Sequence, residues 1–112
     1  MLRDPLKTVL LTGLLWLGYF GAAAAAESYT LVIKDHIFTP AELKVPAGKD
    51  FRIIVKNQDP TPEEFESHDL RIEKIIPGGK EASIPVRALK AGTYQFVGEF
   101  NESTAKGVLI AE

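Results

Sequence analysis

Carboxylate side chains are concentrated in two short segments of the sequence. The first segment is residues 63–69 (EEFESHD), and the second is residues 99–102 (EFNE). If folding brings the two segments together, a bound cation would offset the mutual repulsion of their negative charges. Runs of acidic residues also form solvated surfaces, and the spacing alone favours this second interpretation.

Several other kinds of chemistry lack the residues that they require. The chain contains no cysteine, which excludes disulfides, thiolate zinc sites, iron–sulfur clusters and cysteine nucleophiles. It also has no Gly-x-Ser-x-Gly turn to expose a catalytic serine and no glycine-rich loop typical of phosphate binding. The formal net charge of −2 gives no reason to expect nucleic acid as a partner.

The first 26 residues have the layout of a secretory signal peptide. A short basic start is followed by an uncharged, largely apolar stretch at residues 8–20 and by a run of alanines, Ala22–Ala26. The uncharged region is also just long enough to cross a bilayer as an uncleaved anchor, but the alanines favour cleavage. We therefore expect export, cleavage after Ala26, and a single domain at residues 27–112.

The pattern of residues 27–112 predicts an all-β domain. Apolar and polar residues alternate in short stretches that Pro, Gly and Asn interrupt, which is typical of an antiparallel sandwich or barrel with seven to eight strands. The predicted strands are residues 29–33, 42–45, 51–56, 70–72, 82–86, 93–97 and 108–110. One or two helical turns are predicted only at the acidic stretch Pro62–Ser67.

The landmarks of this pattern resemble the cupredoxin-like fold, which implies a Greek-key β-sandwich. The landmarks are Phe38-x-Pro40, Val45-Pro46-Ala47-Gly48, a strand that ends at Asn57, Gly92-Thr93-Tyr94-x-Phe96, and Lys106-Gly107-Val108-Leu109-Ile110.

In copper-binding members of that fold, one loop supplies His-Asn and a later loop supplies Cys-x-x-His-x-x-Met. Counting back from Gly107, the resemblance places Glu99 at the cysteine position, Glu102 at the histidine position and Ala105 at the methionine position. Glu66 with the following serine replaces His-Asn in the earlier loop.

The resemblance implies a metal site of a different kind from blue copper. A type 1 copper centre is excluded, because it needs a thiolate and the chain has no cysteine. Carboxylates in its place favour iron, manganese or a non-blue copper site. Glu66 and Glu99 are the first candidate ligands, and Glu102 is the next. Their alternative role is that of surface charges paired with lysine, for example Lys74 or Lys106.

The two histidines of the chain are further candidate ligands. His68 lies two residues from Glu66, so in an extended segment both side chains face the same way. His36 follows the first predicted strand, and its alternative role is that of an ordinary surface histidine. Glu63, Glu64 and Asp69 are expected to support the ligands or to face solvent. The two phenylalanines of the acidic segments are expected to be buried.

A longer set of residues is similar to the small periplasmic cupredoxin-like proteins of bacterial ferrous-iron uptake systems. It consists of Glu64-Phe65-Glu66-Ser67-x-x-Leu70-x-x-Glu73-Lys74, Gly98-Glu99-Phe100 and Thr104-Ala105-x-Gly107. This resemblance implies a periplasmic protein that binds, delivers or oxidises Fe²⁺, with or without copper. Its implied partner is an inner-membrane iron permease or a periplasmic metal-binding protein.

One departure from this family and one alternative function follow from the same residues. Asn101 stands where members often carry a histidine. The sequence leaves open whether ferroxidase-type activity accompanies metal binding. The alternative function is a cupredoxin-fold interaction module whose metal site has been lost.

Overall fold

Nine strands and one short 3₁₀ helix form in residues 26–112, the part of the chain that the computed structural model describes. The strands are β1 (Glu27–Lys34), β2 (Ile37–Thr39), β3 (Glu42–Val45), β4 (Phe51–Asn57), β5 (Glu63–Ser67), β6 (Ile72–Ile76), β7 (Glu81–Val86), β8 (Gly92–Gly98) and β9 (Lys106–Ala111). The 3₁₀ helix is Glu99–Asn101. No helix among these residues is long and apolar enough to cross a membrane. The predicted signal peptide lies outside the described residues, except for its last residue.

The strands form two sheets, and the predicted all-β sandwich is confirmed. One sheet has the order β2-β1-β4-β7 and the other β3-β9-β8-β5-β6. Both sheets are mixed, because β1 pairs in parallel with β4 and β3 pairs in parallel with β9, whereas the other pairs are antiparallel. Between β1 and β4 the chain passes through β3 in the other sheet. A strand that returns through such a crossover can enter its first sheet in the parallel direction.

The core between the sheets is built around three phenylalanines from different strands. The rings of Phe65 and Phe96 stack with centroids 5.3 Å apart. The ring of Phe38 meets both edge-on, at 5.1 Å from Phe96 and 6.1 Å from Phe65. All three side chains are buried, and such aromatic contacts add to the free energy gained from burial.

The acidic stretch predicted to be helical is in fact strand β5. Glu63, Phe65 and Ser67 are all buried, with 2%, 0% and 2% exposure, and this two-residue period is that of a strand. Strand β5 pairs with β6 on one side and with β8 on the other. Pairing on both sides and burial of one face outweigh the weak local preference of glutamate for a helix.

The predicted strand at residues 70–72 is displaced toward the C-terminus, because a turn follows β5. The Ser67 hydroxyl donates to the carbonyl of Gln95 (2.6 Å) and accepts from the backbone N–H of Leu70 (3.1 Å). Arg71 donates its backbone N–H to the carbonyl of His68 (3.2 Å) and has a φ of 56°. Strand β6 therefore begins only at residue 72.

Truncation of a buried phenylalanine should destabilise the fold far more than truncation of an exposed one. Phe96→Ala should lower the free energy of unfolding by about 3–5 kcal/mol, because it leaves a cavity beneath two aromatic rings. Phe100, which the sequence predicted to be buried, is 50% exposed. Phe100→Ala should therefore cost about 0.5 kcal/mol or less. Urea unfolding at pH 7 measures both, and equal losses would contradict the assigned core.

Candidate metal site

Strand β5 sorts its glutamates onto two faces of the five-stranded sheet. Successive side chains in a strand point to opposite faces. Since Glu63 and Phe65 are buried between the sheets, Glu64 and Glu66 project from the outer face. Strand β5 thus places the carboxylate of Glu63 on its inner face and the carboxylates of Glu64 and Glu66 together on its outer face.

Strand β8 and the 3₁₀ helix bring a third carboxylate to the same place. The antiparallel register pairs Glu66 with Val97 and Phe65 with Gly98, so the chain leaves β8 directly beside β5. Glu99 is the next residue. One carboxylate oxygen from each of Glu64, Glu66 and Glu99 lies within 4.8 Å of the others. A cation that binds oxygen at about 2.0–2.6 Å can bridge such a separation.

The sequence therefore predicted two of these three residues, Glu66 and Glu99, as ligands and did not predict the third, Glu64. The structure places Glu66 beside Glu99, as predicted, although their role as metal ligands stays a prediction. Glu64 was expected to support the ligands or to face solvent, yet it completes the group of three. Two residues separated by one position share a face only in a strand, and the sequence predicted one or two helical turns at this stretch.

The three carboxylates influence one another's pKa. A hydrogen bond to the side chain of Glu99, together with partial burial and nearby negative charges, raises the pKa of Glu64 to about 7. A hydrogen bond to the same partner raises the pKa of Glu66, whereas these two hydrogen bonds lower the pKa of Glu99. Because the groups interact strongly, the proton belongs to the cluster rather than to one residue.

Among residues 26–112, no lysine or arginine forms an ion pair with the carboxylates of this cluster. Glu73 of β6 lies directly opposite Glu66, and like charges at such positions destabilise a sheet. In the part of the chain that the structure describes, neither Lys74 nor Lys106 forms the ion pair that was the alternative interpretation. An arrangement that costs stability in this way is typical of functional sites.

His68 and Glu102 lie at the border of the cluster. The Nε2 atom of His68 is 3.3 Å from Oε1 of Glu66, and its side chain is 91% exposed. His68 and Glu102 line a small cavity of about 130 Å³ together with Glu66. Both predicted candidates are therefore neighbours of Glu66, but neither belongs to the group of three carboxylates.

His36 lies in a different place, at the turn between β1 and β2. Its Nδ1 atom is 3.5 Å from Oδ2 of Asp59, and Asp59 accepts the backbone N–H groups of Asp35 (2.7 Å) and His36 (3.0 Å). Burial raises the pKa of Asp59, but these hydrogen bonds and the charges of His36 and Lys34 together outweigh burial and lower it. The structure does not bring His36 to the carboxylate cluster.

The family of the chain follows from a comparison with known domains. A family model described as a cupredoxin-like domain matches residues 7–111. The chain belongs to the cupredoxin-like domain family. Proteins with this fold generally bind metal or transfer electrons.

Solved structures agree with this assignment at the level of the fold. Auracyanin B matches with a TM-score of 0.69 and 15% identity, over 80% of this chain and 91% of that chain. A copper binding protein in the apo form matches with a TM-score of 0.69 and 20% identity, over the same shares. A purple cupredoxin from Nitrosopumilus maritimus matches with a TM-score of 0.58 and 15% identity, over 74% of this chain and 98% of that chain.

A relative with higher sequence identity comes from Rickettsia prowazekii (strain Madrid E). This uncharacterized protein is 44% identical over 80 residues, which are 71% of this chain and 64% of the relative. The match thus spans less than two thirds of the relative's length. The predicted resemblance to the cupredoxin-like fold is confirmed, whereas the resemblance to iron-uptake proteins stays a prediction.

The donor set of this cupredoxin-like domain suits hard cations. The cluster offers three carboxylates, and one imidazole lies beside them. No cysteine exists in the chain, so the thiolate of a type 1 copper centre is absent. Carboxylate oxygen favours hard cations such as Mn²⁺, and with imidazole it also accepts Cu²⁺.

The raised pKa of Glu64 predicts a specific dependence of stability on pH. The pKa of Glu64 rises from its ordinary value of 4.5 to about 7 on folding, so between these pH values the folded state binds more protons than the unfolded state. Wild-type stability that derives from this group is therefore present below pH 4.5 and lost as the pH rises through 7. Glu64→Gln should remove this loss. The free energy of unfolding of the variant, relative to that of wild type, should therefore increase from pH 5 to pH 8.

The measurement is urea unfolding at several pH values in a buffer that contains a chelator. Glu42→Gln is the matched control, because Glu42 is an exposed glutamate at the start of β3, outside the cluster. Parallel profiles for wild type and Glu64→Gln would contradict the shared-proton arrangement.

Proposed function

We propose that this cupredoxin-like protein binds Fe²⁺ as cargo in the periplasm and delivers it to a membrane permease. The observation that carries the proposal is the convergence of Glu64, Glu66 and Glu99 without a lysine or arginine partner among the described residues. The cargo would bind to these three carboxylates, with His68 as an additional ligand from the side.

The chemistry of the ligands supports iron as the cargo. Anionic oxygen ligands stabilise Fe³⁺ more than Fe²⁺, because the electrostatic attraction grows with the charge of the ion. The cluster would therefore hold Fe³⁺ more tightly and favour the loss of an electron by bound Fe²⁺. Cu²⁺ should also bind in vitro, since it exceeds the other divalent ions in affinity for most N/O sites.

The position of the cluster supports delivery rather than permanent binding. Glu66 is buried at 8% exposure, but Glu99 is exposed and Glu64 is half-buried, so solvent and a partner protein can reach the ion from the side of these two residues. A cation site on an open sheet face exchanges its ion more readily than one enclosed between two sheets. The signal-peptide layout of the first 26 residues and the resemblance to iron-uptake proteins support the periplasm and the permease.

A second candidate function is a protein interaction module without a metal. The observation that favours it is apolar surface beside the cluster. Ile75, which lies opposite Glu64 across the β5–β6 pair, is 53% exposed, and Phe100 is 50% exposed. These side chains could form part of a protein interface with the cluster as a charged border.

Metal binding distinguishes the two candidate functions. A cation that binds only the folded state stabilises it by about 2.7 kcal/mol at a concentration of 100 times Kd. The melting temperature of wild type should therefore rise with Mn²⁺ and with Fe²⁺ under anaerobic conditions. The variant Glu66→Gln/Glu99→Gln should lose this rise, because only one carboxylate of the group remains.

The control for this experiment is Glu42→Gln/Glu81→Gln. It removes the same number of carboxylates from exposed positions in other strands and should keep the full rise. A wild-type melting temperature that neither metal changes would rule out metal binding and leave the interaction module.

Export is tested by the N-terminus of the exported protein. When the full chain is produced in a Gram-negative bacterium, the periplasmic fraction should contain a protein that begins at Glu27. Replacing Ala24 and Ala26 by Leu should block this cleavage, because a signal peptidase accepts only small residues there. Mass spectrometry of the fractions measures both. Detection of only the uncleaved chain, in the membrane fraction, would favour the anchor.

A further inference from the structure

Glu63 is a buried carboxylate that is bound to the segment carrying Glu99. Its side chain is 2% exposed. Oε1 accepts the backbone N–H groups of Glu64 (3.0 Å) and Phe100 (2.9 Å), and Oε2 accepts the side-chain N–H of Asn101 (2.8 Å). Two of these three donors belong to the 3₁₀ helix that begins with Glu99. Both oxygens are thus occupied by groups of the protein.

The sheet does not itself hold the 3₁₀ helix in place. The pairing of β5 with β8 consists of two residue pairs and ends at Gly98, so Glu99 lies beyond the ladder. The loop that follows closes on itself, since Gly98 donates to Ala105 (2.8 Å) and Ala105 donates to Asn101 (2.8 Å). Besides the hydrogen bonds of the Glu99 side chain itself, the hydrogen bonds of Glu63 tie this loop to the start of β5.

Gly98 shows how closely β8 approaches this carboxylate. A Cβ atom at residue 98 would lie 2.6 Å from Cδ of Glu63 and 2.7 Å from Cβ of Ala105. Contacts this short do not occur in proteins without displacement of a neighbour. The absence of a side chain at residue 98 therefore lets Glu63 reach the 3₁₀ helix from the core side.

We propose that Glu63 is the positioning residue of the carboxylate cluster. It holds the 3₁₀ helix from the inner face of β5 so that Glu99 meets Glu64 and Glu66 on the outer face. Glu63 does not itself contact the ion. The consequence for metal affinity rests on the proposed function, whereas the consequence for the position of Glu99 does not.

The test compares Glu63→Ala with a matched control, Asp59→Ala, in the full chain. Asp59 is also a buried carboxylate (6% exposed) that accepts two backbone N–H groups, but it does so at the turn of Asp35 and His36. Both variants should lose stability. Only Glu63→Ala should release Glu99 from the cluster.

The first measurement needs no metal. Carboxyl ¹³C NMR should show the titration midpoint of Glu64 falling from about 7 toward 4.5 in Glu63→Ala, because Glu99 no longer accepts its proton. In Asp59→Ala the titration midpoint of Glu64 should remain at about 7. It should also remain in Glu63→Gln, since the glutamine oxygen still accepts both backbone N–H groups and the amide of Asn101 can turn to accept from the glutamine nitrogen.

The second measurement is the dissociation constant for Mn²⁺, which should rise about 10–100-fold in Glu63→Ala and change little in Glu63→Gln. If Glu63→Ala does not fold, Asn101→Ala decides, because it removes one of the two contacts with the 3₁₀ helix and should lower the Glu64 midpoint part of the way.

The outcomes separate this inference from the proposed function. An unchanged Glu64 midpoint in folded Glu63→Ala, or in Asn101→Ala where that variant decides, would overturn the positioning role. An equal fall in Asp59→Ala would also overturn it, because the effect would then be one of general destabilisation. A wild-type protein that binds no Mn²⁺ would overturn the proposed function, while the NMR titration would still decide the role of Glu63.

Discussion

The arrangement of this domain depends on the burial of one carboxylate at the start of β5. A carboxylate removed from water is costly unless donors replace its hydration. Glu63 obtains three such donors, and two of them are in the 3₁₀ helix after β8. The requirement to satisfy this buried group therefore fixes where the following loop lies. The outer cluster depends on that constraint, because Glu99 belongs to the same helix.

The outer cluster lowers stability, and the rest of the sandwich must offset this effect. Three carboxylates in mutual contact with Glu73 opposite them repel each other unless a proton or a cation lies between them. The opposing contribution comes from the aromatic core, which packs directly beneath β5 through Phe65. One strand thus carries unfavourable charge on its outer face and favourable apolar burial on its inner face. One strand can combine the two contributions because successive side chains point to opposite faces of the sheet.

The sequence predicted the sandwich well and the site in part, for different physical reasons. Strand β3 can be recognised from its alternation of polar and apolar residues, and strand β4 from its β-branched and aromatic residues. Both are local signals. The strand character of β5 is not local, because it arises from pairing with β6 and β8. Without it, Glu64 could not be assigned to the same face as Glu66. The contacts of His36 with Asp59 depend on the fold of the β1–β2 turn, which no spacing in the sequence reveals.

The origin of the three carboxylates also determines which parts of the site are rigid. Glu64 and Glu66 are two positions apart in one strand, so the regular geometry of the sheet fixes their separation. Glu99 comes from a turn that no ladder pairing holds. Its distance from the other two therefore depends on the hydrogen bonds that Glu63 makes with this turn, whereas the separation of Glu64 and Glu66 depends on the sheet alone. For a cation bound at this cluster, strand β5 would supply two ligands at a fixed separation, and the turn after β8 would determine the position of the third.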